Sequence, residues 1–134
     1  QDIFHEFKII DASEDYNLFC EYNKINEKRR SLSKFFVLCA NHNVIDKKDI
    51  EYIIKRLLSK NYEYMQQENK INYVEEITEN LKIMITNFNE DFKSVYSYNS
   101  IKEEITKLSQ LNAKDYLSLN NKILFNFIDI EEMM

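Results

Sequence analysis

Apolar residues recur at helical spacing along most of the chain. The clearest stripe lies in residues 46–60, with five members spaced i, i+3, i+4, i+7 and i+8: Ile50, Ile53, Ile54, Leu57 and Leu58. This spacing places all five side chains on one face of an α-helix. Asp46 occupies the N-cap position and Asp49 the third helical position, where carboxylates accept from the free amides of the first turn. The pattern predicts an amphipathic helix that begins after Asp46.

A second stripe precedes this helix and has members spaced 0, 3, 4 and 7: Leu32, Phe35, Phe36 and Cys39. We expect its helix to end near residues 42–43, with Asn43 adopting the left-handed conformation that terminates many helices. Two or three residues then separate it from the helix at Asp46. So short a connection predicts that the two helices pack antiparallel as a hairpin.

Four further helices are predicted, at about residues 12–28, 72–88, 100–111 and 115–130. The third of these begins with Ser100-Ile-Lys-Glu103, which fits a capping box in which the two side chains satisfy each other's amides. Residues 61–71 have weak periodicity, and both a loop and an extension of the preceding helix remain open.

The unit of helix, short turn and helix recurs every 35–45 residues, which is typical of helical-hairpin solenoids. We therefore predict an all-α fold of about three stacked antiparallel hairpins of the HEAT type. Residues 1–134 are expected to form one domain, either alone or as part of a longer chain. A compact helical bundle is the alternative arrangement.

The chain contains no glycine and no proline, whereas average usage would give about nine and seven in this length. Their absence argues against turn-rich β folds and against glycine-rich phosphate loops. The net charge of −5 is unfavourable for non-specific binding to nucleic acid. The longest strongly apolar run, residues 35–40, is too short to span a membrane. These features predict a cytoplasmic domain that does not enter the membrane.

No catalytic or metal-binding pattern is found in the sequence. His5 and His42 lack metal-ligand spacing, and Cys20 and Cys39 are interpreted as reduced core thiols. Cys39 and His42 could form a hydrolase dyad, but an exposed histidine beside a core cysteine is the favoured interpretation. We therefore predict no enzymatic activity, no catalytic residue, no metal, no cofactor and no small-molecule substrate.

Glu-Glu pairs occur three times, and each lies in the first turn of a predicted helix or at the terminus: Glu75-Glu76, Glu103-Glu104 and Glu131-Glu132. Acidic side chains at such positions complement the helix dipole and face water. Arg29-Arg30 is the basic doublet that stands out in a lysine-dominated chain. Arginine suits bidentate contact with a carboxylate or phosphate, so a partner contact and a salt bridge to a neighbouring helix are both open.

Several segments together resemble the middle domain of eukaryotic translation initiation factor 4 gamma. The first is a helical hairpin with four matching stretches: Arg29-Arg30-Ser31-Leu32, Lys34-Phe35-Phe36, Val44-Ile45 and Ile53-Ile54-Lys55-Arg56-Leu57-Leu58. The segments 81–92 and 124–130 are similar to the next and the closing helices of that family. Asn89 stands where the family has a glycine, and residues 61–71 read as an insertion.

The resemblance implies a HEAT-type scaffold that docks a DEAD-box RNA helicase of the translation initiation complex, with RNA as a secondary contact. The chain would correspond to the C-terminal part of the family domain. The candidate partner-binding residues combine the arginine doublet with a polar-aromatic turn: Arg29, Arg30, Asp91, Phe92, Lys93, Tyr96 and Tyr98. Phe92 and Tyr96, spaced i, i+4, could equally belong to the core.

Two other hypotheses stay open at this point. A helical bundle could bind a partner protein helix in a hydrophobic groove, with no connection to translation. A helical-repeat module could bind RNA, and such binding would depend steeply on salt. The acidic balance of the chain makes the RNA-binding module the least favoured.

Overall fold

The computed structural model describes residues 16–134, in which all regular secondary structure is helical, without a strand, as the sequence predicts. Five α-helices follow one another: α1 (Tyr16–Asn41), α2 (Lys47–Met65), α3 (Ile71–Asn87), α4 (Tyr98–Ser109) and α5 (Asn121–Met133). Short 3-10 helices at Glu90–Ser94 and Ala113–Asp115 precede α4 and α5. His5 and residues 12–15 of the predicted first helix lie outside the described residues.

The helices α1, α3 and α5 form one layer and run parallel. Arg30 and Ser33 of α1 contact residues 46 and 47 positions further along in α3. Lys82 of α3 contacts residues 44 and 47 positions further along in α5. Because the offset stays nearly constant along each helix, neighbours in the layer point the same way. The structural repeat is thus about 46 residues long, within the range of HEAT repeats.

The second layer consists of α2 and α4, which lie against the first with antiparallel neighbours. Tyr64 of α2 faces Tyr73 of α3, while Asn61 donates to Thr78. Because the later residue of α2 contacts the earlier residue of α3, the two helices run antiparallel. α4 and α5 are also antiparallel, because Tyr98 at the start of α4 contacts Met134, which follows the end of α5. Stacked antiparallel pairs in two layers are the arrangement that the sequence predicts.

The predicted break between a helix at 12–28 and a helix at 32–42 is wrong, because α1 is continuous. The buried face of α1 is polar in its middle: Asn26, Arg29 and Ser33 are buried, followed by Val37 and Ala40. These five positions follow helical spacing, but an apolar pattern cannot reveal a stripe made of polar side chains.

The apolar stripe that predicted the second half of α1 does not form its buried face. Phe35 is 58% exposed, Leu38 is also exposed, and Leu32, Phe36 and Cys39 are half-buried. Cys20 and Cys39 are free thiols and are half-buried rather than core residues. Much of this apolar surface of α1 therefore remains accessible in the described part of the chain.

Asn43 ends α1 as predicted, with a φ of 61°. Its amide donates to the carbonyl oxygen of Ala40 at 3.1 Å, and the amide of Val44 donates to that of Cys39 at 2.8 Å. This is a Schellman motif, which satisfies carbonyl groups that a helix end leaves free. Asp46 then caps α2, accepting from the amide of Lys48 at 2.9 Å. The prediction of a tight helix-to-helix turn is confirmed.

One further helix end settles an alternative that the sequence left open, and two others differ from the sequence-based expectation. α2 continues to Met65, so the first half of residues 61–71 is helix, and the turn that follows places Asn69 at a φ of 58°. α4 begins at Tyr98, which leaves Ser100 inside the helix and removes the predicted capping box. α5 begins after Asn120, whose side chain accepts from the amide of Ile123 at 2.9 Å.

One core runs through both layers and contains four of the five apolar residues of the 46–60 stripe, all but the half-buried Ile53. Its largest fully buried members come from every helix after α1: Ile50, Ile54, Leu58, Met65, Ile77, Leu81, Met84, Ile101, Ile105, Ile123, Phe127 and Ile130. Burying side chains of this size contributes about 1.5–3 kcal/mol each relative to leaving them exposed. The core fixes the helix ends, and with them the turns that carry the exposed side chains.

Candidate partner-binding surface

The arginine doublet lies at the interface between α1 and α3. The guanidinium of Arg30 donates to both carboxylate oxygens of Glu76, from Nε at 2.8 Å and from Nη2 at 2.5 Å. This hydrogen bond to Glu76 is the main reason that the pKa of Arg30 is raised. The Glu76 side chain is 4% exposed, so the expectation that the pair Glu75-Glu76 faces water is wrong for Glu76. Arg30 thus forms the salt bridge to a neighbouring helix that its sequence context left open.

Arg29 is buried beside this pair. It is 5% exposed and donates to the Oδ1 of Asn26 at 2.6 Å. Burial is the largest influence on the pKa of Arg29 and lowers it, while the charge of Glu76 acts in the opposite direction. Because both guanidinium groups contact the α1–α3 interface, neither is presented freely to a partner.

Buried polar contacts continue along the α1–α3 interface. The hydroxyl of Ser33 donates to the Oδ1 of Asn80 at 2.7 Å, and the Asn80 amide donates to the main-chain carbonyl of Glu76 at 2.8 Å. Further along, the amide of Asn41 donates to the main-chain carbonyl of Asn87 at 2.9 Å. Each group finds its partner at one register alone, so these contacts fix how α1 lies on α3.

Two of the aromatic candidates are core residues. Phe92 is 4% exposed and stacks on Phe88 with ring centroids 4.6 Å apart. Tyr98 packs edge-on against Phe92 at 5.0 Å and donates its hydroxyl proton to the carbonyl oxygen of Met134 at 2.5 Å. Of Phe92 and Tyr96, for which a place in the core was left open, Phe92 is the core residue. Tyr98, for which it was not considered, is buried as well.

Three candidates are exposed and lie on the connection between α3 and α4. Tyr96 is 99% exposed, and the side chains of Asp91 and Lys93 are 66% and 58% exposed. Lys47, at the start of α2, lies 3.9 Å from the carboxylate of Asp91. Asn41 also holds the connection, accepting from the amide of Asn89 at 3.0 Å. The α1–α2 turn and the 90–97 segment therefore lie side by side.

Val44 belongs to the same end of the molecule and was missed by the sequence analysis. It is 71% exposed at the tip of the α1–α2 turn, directly after the left-handed Asn43. An apolar β-branched residue in a turn was the signal that could have indicated it. We call the exposed residues at this end the tip surface: Val44, Asp91, Lys93 and Tyr96.

Metal-binding clusters and membrane-spanning helices are absent from residues 16–134. No group of three or more His, Cys, Asp or Glu side chains among residues 16–134 could hold a metal ion. None of the helices described there is long and apolar enough to cross a membrane. His42 is exposed near the end of α1, three residues after the half-buried Cys39. Comparisons of the chain with protein-family models, curated proteins and solved structures found no match.

Proposed function

We propose that this chain is a scaffold domain of translation initiation that docks a DEAD-box RNA helicase in the cytoplasm. The resemblance to the middle domain of initiation factor 4 gamma supplies the partner class. The two-layer stack with its repeat of about 46 residues supports a scaffold role, because stacked helical pairs present long, rigid surfaces.

The observation that carries the docking surface is the position of Tyr96. A tyrosine that is 99% exposed follows the charged residues Asp91 and Lys93 on a connection whose Phe92 and Tyr98 rings pack together in the core. Tyrosine is enriched among the residues that contribute most to binding energy at protein interfaces, and a backbone already held by buried aromatic rings loses little conformational entropy on binding. Asp91 and Lys93 add charges of both signs, which favours an oriented polar contact over non-specific adhesion.

A binding measurement with a DEAD-box helicase of the same organism tests this proposal. Tyr96→Ala and Lys93→Glu are expected to weaken binding, whereas Tyr52→Ala, at a 63% exposed position on α2, serves as the matched control. Arg30→Glu is unsuitable as a contact probe, because it would break the pair with Glu76. Unchanged binding in both tip variants would reject the tip surface, and no binding by the wild type would reject the helicase.

The exposed stripe on α1 favours a second candidate, the docking of an apolar helix from a partner unrelated to translation. Phe35 and Leu38, spaced i, i+3 on α1, are 58% and 39% exposed, and this spacing presents both apolar side chains on one face to a partner helix. Phe35→Glu would abolish binding to such a partner and leave helicase binding intact. RNA, as a secondary contact, would instead show binding that weakens steeply with salt.

A further inference from the structure

A groove bordered by two tyrosines lies at the end of α2 and α4 that is remote from the tip surface. The rings of Tyr62, on α2, and Tyr116, on the α4–α5 connection, meet edge-on with centroids 6.1 Å apart. Two depressions of about 440 and 640 Å³ share these rings and Leu111. Tyr62 is 44% exposed and Leu117, at the rim, is 62% exposed. The groove thus combines accessible aromatic and aliphatic surface.

The groove is held in shape by hydrogen bonds to Ser118, which is fully buried. Its amide donates to the carbonyl oxygen of Met65 at 2.9 Å, and its hydroxyl donates to the carbonyl oxygen of Gln67. The same hydroxyl accepts from the amide of Lys70 at 2.9 Å. These contacts tie the α4–α5 connection to the end of α2, so the two tyrosines do not have to be ordered by a ligand.

The charged residues around the groove are mainly acidic. Glu103 and Glu104 line it from α4, and Asp115 lines it from the connection, against one lysine, Lys107. The carboxyl ends of both α2 and α4 point toward this end of the molecule, where helix dipoles favour cations. The electrostatics of the groove therefore select a positively charged ligand.

Elsewhere in the chain, a lysine makes cation–π contacts with a pair of tyrosine rings. Tyr64 and Tyr73 lie 5.3 Å apart, and the ammonium of Lys70 lies 4.5 Å from the centroid of Tyr73 and 5.7 Å from that of Tyr64. In the described part of the chain, cations lie over the rings of Tyr52, Tyr64 and Tyr73, and none lies over the Tyr62–Tyr116 pair. The second pair, Tyr62 and Tyr116, has the same ring chemistry, combines an exposed with a half-buried ring, and is flanked by carboxylates.

We propose that the Tyr62–Tyr116 groove binds a lysine- or arginine-containing segment of a partner protein. The cation lies against the tyrosine rings and is neutralised by Glu103 and Asp115, while an adjoining apolar side chain packs on Leu111 and Leu117. Cation–π contact, carboxylate pairing and apolar contact then act at one site. The inference does not depend on the identity of the partner at the tip surface.

Titration with a short synthetic peptide tests this proposal, using alternating lysine and alanine with a central leucine. The same peptide with glutamate in place of lysine is the ligand control. At low ionic strength we expect saturable binding of the lysine peptide, with NMR shifts at Tyr62, Leu111 and Tyr116. Tyr62→Ala is expected to weaken binding about tenfold, since a partly desolvated cation–π contact is lost. Tyr62→Phe keeps the ring and is expected to bind normally.

Charge reversal provides the second arm of the experiment. The double variant Glu103→Lys, Asp115→Lys is expected to weaken binding of the lysine peptide at least about tenfold. Glu90→Lys reverses a charge at an 89% exposed position on the connection that carries the tip surface, and is expected to have little effect. Tyr52→Ala is the matched aromatic control. Equal binding of the glutamate peptide, an equal loss in Glu90→Lys, or unchanged binding in Tyr62→Ala would each overturn the proposal.

Discussion

Arg30 and Glu76 form a two-point salt bridge whose partners differ sharply in exposure: the Arg30 side chain is 42% exposed and that of Glu76 is 4%. This asymmetry has an energetic consequence, because loss of one partner leaves the other with very different access to water. A buried charge without its counter-ion is strongly destabilising, whereas a half-exposed charge can be rehydrated.

Arg30→Met is therefore expected to lower the free energy of unfolding by about 2–3 kcal/mol, since it leaves the Glu76 carboxylate buried. Glu76→Met is expected to lower it by about 1–2 kcal/mol, because Arg30 can turn to solvent while the buried Arg29 loses the facing charge of Glu76. The double variant should resemble Glu76→Met. Urea unfolding of all three measures these values, and an equal loss in the two single variants would contradict the argument.

Glu51 is expected to stabilise α4 from a different helix. Its carboxylate, buried on α2, accepts from the amide of Ser97 at 2.9 Å, and α4 begins at the next residue, Tyr98. Glu51→Ala is expected to lower the free energy of unfolding by about 1–2 kcal/mol, as the loss of a helix cap does. Hydrogen exchange at the Ser97 amide should accelerate in the same variant.

Glu63→Ala is the control for this prediction, because Glu63 lies on the same helix and its side chain is 57% exposed. Glu51→Gln retains an acceptor oxygen and should lower the free energy of unfolding less than Glu51→Ala does. If Glu63→Ala were as destabilising as Glu51→Ala, the cap would not be the cause.

The aromatic residues of the 88–98 segment should separate cleanly into two classes. Phe92→Ala is expected to lower the free energy of unfolding by about 3–5 kcal/mol, since it removes a buried ring that contacts both Phe88 and Tyr98. Tyr96→Ala should leave it within about 0.5 kcal/mol, because its side chain is almost fully exposed. Thermal unfolding distinguishes the two, and a large loss in Tyr96→Ala would show that this ring packs in the protein.

Tyr116 is expected to titrate above the ordinary tyrosine pKa of 10.0, chiefly because of the neighbouring side chain of Tyr62. A proton held more tightly in the folded state stabilises that state below the ordinary pKa, and the contribution is lost as pH rises through the folded-state pKa. The relevant window is therefore alkaline. Phenolate absorbance, compared between the wild type and Tyr116→Phe, isolates this titration.

Tyr62→Phe removes the partner hydroxyl and should return the pKa of Tyr116 toward 10.0. Tyr52→Phe is the control and should leave the titration of Tyr116 unchanged. A Tyr116 titration that is the same with and without the Tyr62 hydroxyl would contradict the assignment.

Features encoded by local chemistry could be predicted from the sequence. The stripe at Ile50, Ile54 and Leu58 is fully buried, and Asp46 and Asn43 mark the helix ends as expected. Each of these depends on residues within one or two turns of the helix. The all-α class followed from the same signals, summed along the chain.

Features encoded by distant contacts could not be predicted. The start of α4 depends on Glu51, 46 residues away from Ser97, and the burial of Glu76 depends on Arg30, also 46 residues away. The i, i+4 spacing of Phe92 and Tyr96 had no fixed meaning, because the intervening chain is a 3-10 helix and a turn. The exposure of Asp91, Lys93 and Tyr96 depends on how the helices pack and therefore could not be predicted from the sequence.

The middle position of α3 in its layer determines which helices can unfold separately. α3 contacts α1, α2 and α5, so detaching α1 or α5 from its edge leaves the opposite interface of α3 intact. Release of α3 itself would open both interfaces of the layer together. Partial unfolding of the described helices should thus begin at the edges and be cooperative at the centre. An edge helix can then exchange its contacts for those of a partner while the rest of the stack stays folded.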